Sequence, residues 1–104
     1  MKLTGKRIVT RHGKINYYES GEGPPLVLLH ATPRSALSFH QIIPQLRKFH
    51  KVIAPDTLGF GLSDPLPKSA NIKLLADSIK QLLEKLQIKQ CCVFGLHTGN
   101  KIAA

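Results

Sequence analysis

At 104 residues, with 42% hydrophobic and 20% charged positions, the chain has the composition of one soluble globular domain and not of a disordered segment. Lys and Arg outnumber Asp and Glu 15 to 6, but they run from Lys2 to Lys101 without the interleaved aromatics of a base-stacking platform, so no nucleic-acid partner is expected. No apolar run follows the first basic residues as in a signal peptide, and the longest one, residues 26–29, is far too short to span a bilayer, so a cytoplasmic chain with no membrane partner is expected.

Along the chain, Ile8 and Val9, then Ile15 and Tyr17, alternate with polar residues around His12-Gly13-Lys14, which predicts a β-hairpin. A turn over residues 20–24 leads to the continuous apolar run 25–29, a strand buried on both faces. Residues 35–49 carry Phe39, Ile42, Ile43 and Leu46 at helical spacing, with Pro44 either kinking the helix or sitting in its first turn. Residues 51–55 form a second short strand, followed by a long polar, glycine-rich loop over 56–69; a loop of that length in so small a domain is usually functional. The strongest helix signal is Leu75, Ile79, Leu82, Leu83 and Leu86 on one face, with Asn71 as N-cap. A last strand is expected over 90–94, where the adjacent Cys91 and Cys92 lack C-x-x-C spacing and read as two small buried apolar residues on opposite faces. Strand, helix, strand, helix, strand predicts an α/β fold with a parallel sheet, fronted by the antiparallel hairpin.

In open parallel sheets, ligands collect beyond the carboxyl ends of the strands. Three such ends are readable: His30-Ala31-Thr32-Pro33, the stretch from Asp56 to Asp64, and Gly95-Leu96-His97-Thr98-Gly99. A residue forced onto a sharp strand-to-helix turn needs neighbours without bulk two positions away on either side. Gly95 and Gly99 flank His97 in that way, which makes His97 the apex, with the Thr98 N–H at the start of a helix, where anions are favoured. His12, His40 and His50 share no spacing and read as surface or edge residues, and no zinc-protease, Walker or dinucleotide motif is present, so no metal or cofactor is expected.

These three stretches, in order and each after an expected strand, resemble the H-G-x-P loop, the D-x-x-G-x-G-x-S-D stretch and the nucleophile elbow of the α/β-hydrolase family, over nearly the whole chain from Ile8 onward. The resemblance implies a partial α/β-hydrolase fold: the N-terminal hairpin plus three parallel strands, helices on both faces, and strand order first, second, fourth, third, fifth. It implies oxyanion donors at Thr32 and Thr98, support from His30, Asp56, Gly95 and Gly99, and hydrolysis of an ester-like or related bond in a small-molecule substrate. On the residues' own chemistry, His30 braces its loop instead of binding a metal, and Asp56 and Ser63 hold the glycine loop.

The chain departs from the family pattern at Ala31, where glycine is usual, and at His97, where the family has Ser, Asp or Cys. A serine nucleophile passes its proton to a histidine. An apical histidine has no such relay; it can attack through a ring nitrogen, act as a base on water, or do nothing. The resemblance places the family's acid and histidine later than the elbow, so residues 1–104 read as the N-terminal part of such a domain, truncated just after the elbow, expected to be catalytically inactive and open to self-association through the edge of its last strand. Two other readings stand beside this one at the level of sequence: a small-molecule-binding or regulatory module, and a basic nucleic-acid-interacting protein.

Overall fold

Alternation of apolar residues over two short segments, joined at Arg11-His12, produces the hairpin of β1 (Gly5–Thr10) and β2 (Gly13–Ser20), with Ile8 opposite Ile15. The computed structural model describes residues 5–30, 35–65 and 71–95, and of residues 37 and 38 only the backbone. The remaining described elements are β3 (Pro25–Leu29), a 3₁₀ turn (Ala36–Phe39), α1 (Ile43–Leu46), β4 (Lys51–Pro55), α2 (Ile72–Lys85) and β5 (Cys92–Gly95). They build one five-stranded sheet in the order β1-β2-β4-β3-β5, the order the family resemblance implies. β2 runs antiparallel to β1 and β4, while β3 runs parallel to β4 and β5.

The apolar run of β3 is buried on both faces because helical elements cover both. Val27 and Leu29 point to one side, where Ile15, Tyr17 and Ile53 meet Leu75, Ile79 and Leu82 of α2. Leu28 points to the other, where Tyr18, Val52 and Ala54 meet Ala36, Phe39 and Ile43. Fully burying a side chain of this size contributes roughly 1.5–3 kcal/mol, so these two clusters are the main source of stability. α2 starts at Asn71, whose extended backbone lets its side-chain oxygen accept the Leu74 N–H at 2.8 Å. Its end is a Schellman closure: Ile88 N–H donates to Leu83 O at 2.9 Å and Gln87 N–H to Glu84 O at 3.0 Å. Gln87 occupies the left-handed position with φ of 61°, a place that favours glycine.

Three sequence expectations are corrected. The helix expected over 35–49 is instead a 3₁₀ turn and a separate short α1, with Pro44 in the first turn of α1. A continuous helix would need the missing Pro44 N–H and would bring the proline ring against the carbonyl four residues earlier. The last strand begins at Cys92, not at residue 90. The two cysteines are not buried: Cys91 is half-buried and Cys92 exposed, both as free thiols. Among the described residues β5 has only β3 beside it, so Val93 and Phe94 also lie 43% and 48% exposed.

The hairpin tip is tied to α2 by polar contacts between residues far apart in sequence. His12, read from sequence as a surface or edge residue, sets Nε2 2.8 Å from Asp77 Oδ2. Gln81 donates to the same oxygen at 2.8 Å and accepts the Arg11 N–H at 2.6 Å. Lys85 Nζ donates to the Val9 carbonyl.

Candidate functional site

The sheet order places β3 between β4 and β5, so three chain segments leave neighbouring parallel strands at one edge. Leu29, the last residue of β3, is in register with Gly95, the last of β5. Val27 is in register with Ile53 of β4, and β4 ends two residues later at Pro55. His30 and Asp56 thus follow their strands directly at the same level of the sheet. Both are polar and both are 1% exposed.

A carboxylate without water must find hydrogen-bond donors in the protein. Asp56 Oδ2 accepts from the Asn16 side-chain amide at 2.9 Å and from Leu62 N–H at 3.0 Å. Oδ1 accepts the Ala36 N–H at 2.7 Å. The glycine loop wraps this carboxylate closely enough that Gly61, at φ +55°, has no room for a Cβ, which would run into the carboxylate itself. Ser63 Oγ closes the loop, donating to Asp56 O at 2.5 Å and accepting the Asn16 N–H at 2.8 Å. Asp64 fastens the far end through Lys14 N–H to Oδ2 at 2.8 Å and its own N–H to Lys14 O at 2.9 Å. The loop over 56–64 is therefore held down by side-chain to backbone bonds.

His30 Nε2 accepts the Thr57 backbone N–H at 3.0 Å, with Thr57 Oγ1 at 3.2 Å. An amide can only donate, so this ring is neutral and carries its proton on Nδ1. Phe60 meets it edge-on, with ring centroids 5.9 Å apart at 74°. Asp56 and Thr57, consecutive residues after β4, thus anchor both described flanks of segment 31–34: His30 through its ring and Ala36 through its amide. Thr32, His97, Thr98 and Gly99 lie outside the described residues, whereas Gly95 ends β5 as stated above.

Sequence reasoning missed Asn16 and the Ala36 amide. Asn16 left a signal, since it is a polar residue inside the run Ile15-Asn16-Tyr17-Tyr18, all four of them buried. The Ala36 amide left none, because a backbone donor carries no sequence mark. Among the described residues no three His, Cys, Asp or Glu side chains gather as a metal ion would need. No described helix is long and apolar enough to cross a membrane. An open cavity of about 860 Å³ lies elsewhere, lined by Lys80, Leu83, Glu84, Gln87, Ile88, Lys89 and Cys91. It sits at the amino end of β5, about 13 Å of strand away from Gly95, and takes in none of the strand-end residues.

Comparison with known proteins agrees with this architecture. A family model described as alpha/beta hydrolase fold matches residues 24–96. The 2-hydroxymuconate semialdehyde hydrolase of Pseudomonas sp. is 32% identical over 103 residues, covering 95% of this chain and 36% of the relative. The soluble epoxide hydrolase of Corynebacterium sp. is 32% identical over 102 residues, covering 98% of this chain and 36% of the relative. A crystal structure of a mutant N-acyl homoserine lactonase complexed with N-hexanoyl homoserine superposes with a TM-score of 0.91 at 31% identity, over 98% of this chain and 39% of that one. The chain spans about a third of the length of the curated relatives it matches.

Proposed function

The chain belongs to the alpha/beta hydrolase fold family, and from that premise we propose that it forms the N-terminal part of a hydrolase site for a small-molecule substrate with an ester-like or related bond. The observation that carries the reading is the shared edge: Leu29 opposite Gly95, with His30 and Asp56 buried beside them and holding the loops that leave β3 and β4. In this reading the Thr32 and Thr98 amides supply the oxyanion donors, Gly95 and Gly99 admit the sharp turn, and His97 stands at its apex. Relatives with this fold are named for acting on a semialdehyde, an epoxide and a lactone.

With imidazole in place of a hydroxyl, carboxyl or thiol at position 97, the apex lacks the oxygen or sulfur nucleophile of the family pattern. We therefore read the 104-residue chain as catalytically silent, a small-molecule edge without turnover. The two free cysteines suit a reducing compartment, and the cytoplasm is the location we assign.

The test is a titration of the 15N-labelled chain with acetanilide, an unreactive amide analogue of an aryl ester, followed by amide NMR. Saturable shifts at Ala36, Thr57 and Gly95 are expected. Shifts confined to Lys80, Gln87 and Cys91 around the other cavity, or no shifts, would overturn the placement of the site.

A further inference from the structure

We infer that Asn16 is a positioning residue for the strand-end site: acting through the Asp56 carboxylate, it sets where the Ala36 amide is held, and with it the start of the 3₁₀ turn. Its functional meaning rests on the hydrolase reading above; the linkage itself does not.

Asn16 is 2% exposed on β2, on the opposite side of the sheet from Ile15 and Tyr17, which pack under α2. A buried carboxamide is unfavourable unless it is hydrogen-bonded. Here the bond goes to one specific oxygen, Asp56 Oδ2, at 2.9 Å. The amide is seated by its surroundings as well: a Cβ at Gly5 on β1 would strike Asn16 Oδ1, so glycine there leaves room for it. The Asn16 main chain joins the same assembly, its carbonyl accepting the Asp56 N–H at 2.8 Å and its N–H donating to Ser63 Oγ at 2.8 Å.

The consequence lies in how a carboxylate turns. Torsion about χ2 of aspartate is broad and roughly two-fold, so donors on one oxygen decide where the other points. Asn16 and Leu62 together engage Oδ2, which leaves Oδ1 aimed at Ala36 N–H at 2.7 Å. Ala36 is itself fully buried, and its amide begins the turn that follows segment 31–34. An apolar side chain at position 16 would fill the space but could not fix the carboxylate.

The test uses the 15N-labelled 104-residue chain and two variants. In Asn16→Ala, the Ala36 amide should move upfield and exchange about tenfold faster, the scale of a lost charge-assisted bond, while Ile79 and Leu82 in α2 stay unchanged. The double variant N16D/D56N turns the side-chain bond round: the new amide donates to the new carboxylate and keeps its carbonyl oxygen toward Ala36, but presents NH₂ to Leu62. Protection should therefore return at Ala36 and stay lost at Leu62. If Asn16→Ala does not fold, the double variant decides alone. Ala36 protected with Leu62 unprotected supports the inference; the two amides moving together, or an Ala36 amide indifferent to Asn16→Ala, overturns it. Neither turnover nor ligand enters this readout, so its failure is distinct from failure of the hydrolase reading.

Discussion

Leu29 and Gly95 face each other across β3 and β5 as the last residues of their strands. Because the pairing is parallel, the chain leaves both strands in the same direction and at the same height, and β4 delivers Asp56 beside them. A one-residue slip of β5 would turn its side chains to the opposite face and carry the glycine away from that edge. The register is thus the link between the folding pattern and any chemistry at the strand ends.

Replacing Asp56 with alanine strands two buried donors, Ala36 N–H and the Asn16 amide, and one part-buried donor that water can reach, Leu62 N–H. Each buried unsatisfied group costs about 1–3 kcal/mol, so Asp56→Ala should destabilise the chain by at least about 2 kcal/mol. Urea unfolding followed by circular dichroism measures this directly. A loss below about 1 kcal/mol would mean that water or another donor set replaces the carboxylate.

Gln87→Gly should stabilise the chain. Gln87 closes α2 in the left-handed region at φ 61°, where a side chain costs roughly 1–2 kcal/mol, against an entropic cost of glycine of about 0.5–1 kcal/mol. The net gain is up to about 1.5 kcal/mol, readable as a higher urea midpoint at unchanged slope. A lower midpoint would show that Gln87 makes a compensating contact.

The hairpin-to-helix tie predicts an acid response. The hydrogen bond from His12, followed by that from Gln81, holds the Asp77 carboxyl below the usual carboxylate range. A depressed folded value stabilises above the ordinary carboxylate pKa of about 3.9 and is lost as pH falls through the lowered one. His12→Ala should return Asp77 toward the ordinary value and move acid unfolding to higher pH. Carbon-detected NMR of the Asp77 carboxyl provides the check, and an unchanged titration would remove His12 from the account.

We propose that β5 also drives self-association of the 104-residue chain. Its Val93 and Phe94 are 43% and 48% exposed on a strand with one described neighbour. The charge of +9 opposes this, but screening at physiological salt limits repulsion to about 8 Å. Size-exclusion chromatography with light scattering should give dimers or larger species, shifting toward monomer in Phe94→Lys. A sharp wild-type monomer peak would exclude the edge as a contact.

Most of the fold was legible because its signals are local. The alternation of β1 and β2, the continuous run of β3 and the single apolar face with the Asn71 cap of α2 all lie within one element. The break between residues 39 and 43 was only half legible: Pro44 forbids a continuous helix, but whether it bends the helix or restarts it depends on packing against the sheet. The burial of Cys91 and Cys92 was misjudged, since sequence tells that a strand is apolar but not what covers it. At the site, the buried polar residues Asp56 and His30 announced themselves through their place after strands, whereas the Ala36 amide and the pairing of His12 with Asp77, 65 residues away, leave no local trace.

We propose that this hydrolase-type strand edge is silent in the 104-residue chain, with histidine at position 97 as one of the causes, and hydrolysis of p-nitrophenyl acetate tests this most directly. Serine at that position would need a base, and His30, the described histidine at this edge, already has Nε2 engaged by Thr57. The 104-residue chain, His97→Ala and His97→Ser should therefore all hydrolyse the ester no faster than background, without a burst. Turnover by the wild-type chain that His97→Ala abolishes would contradict the account, and would make His97 the working group of an active site.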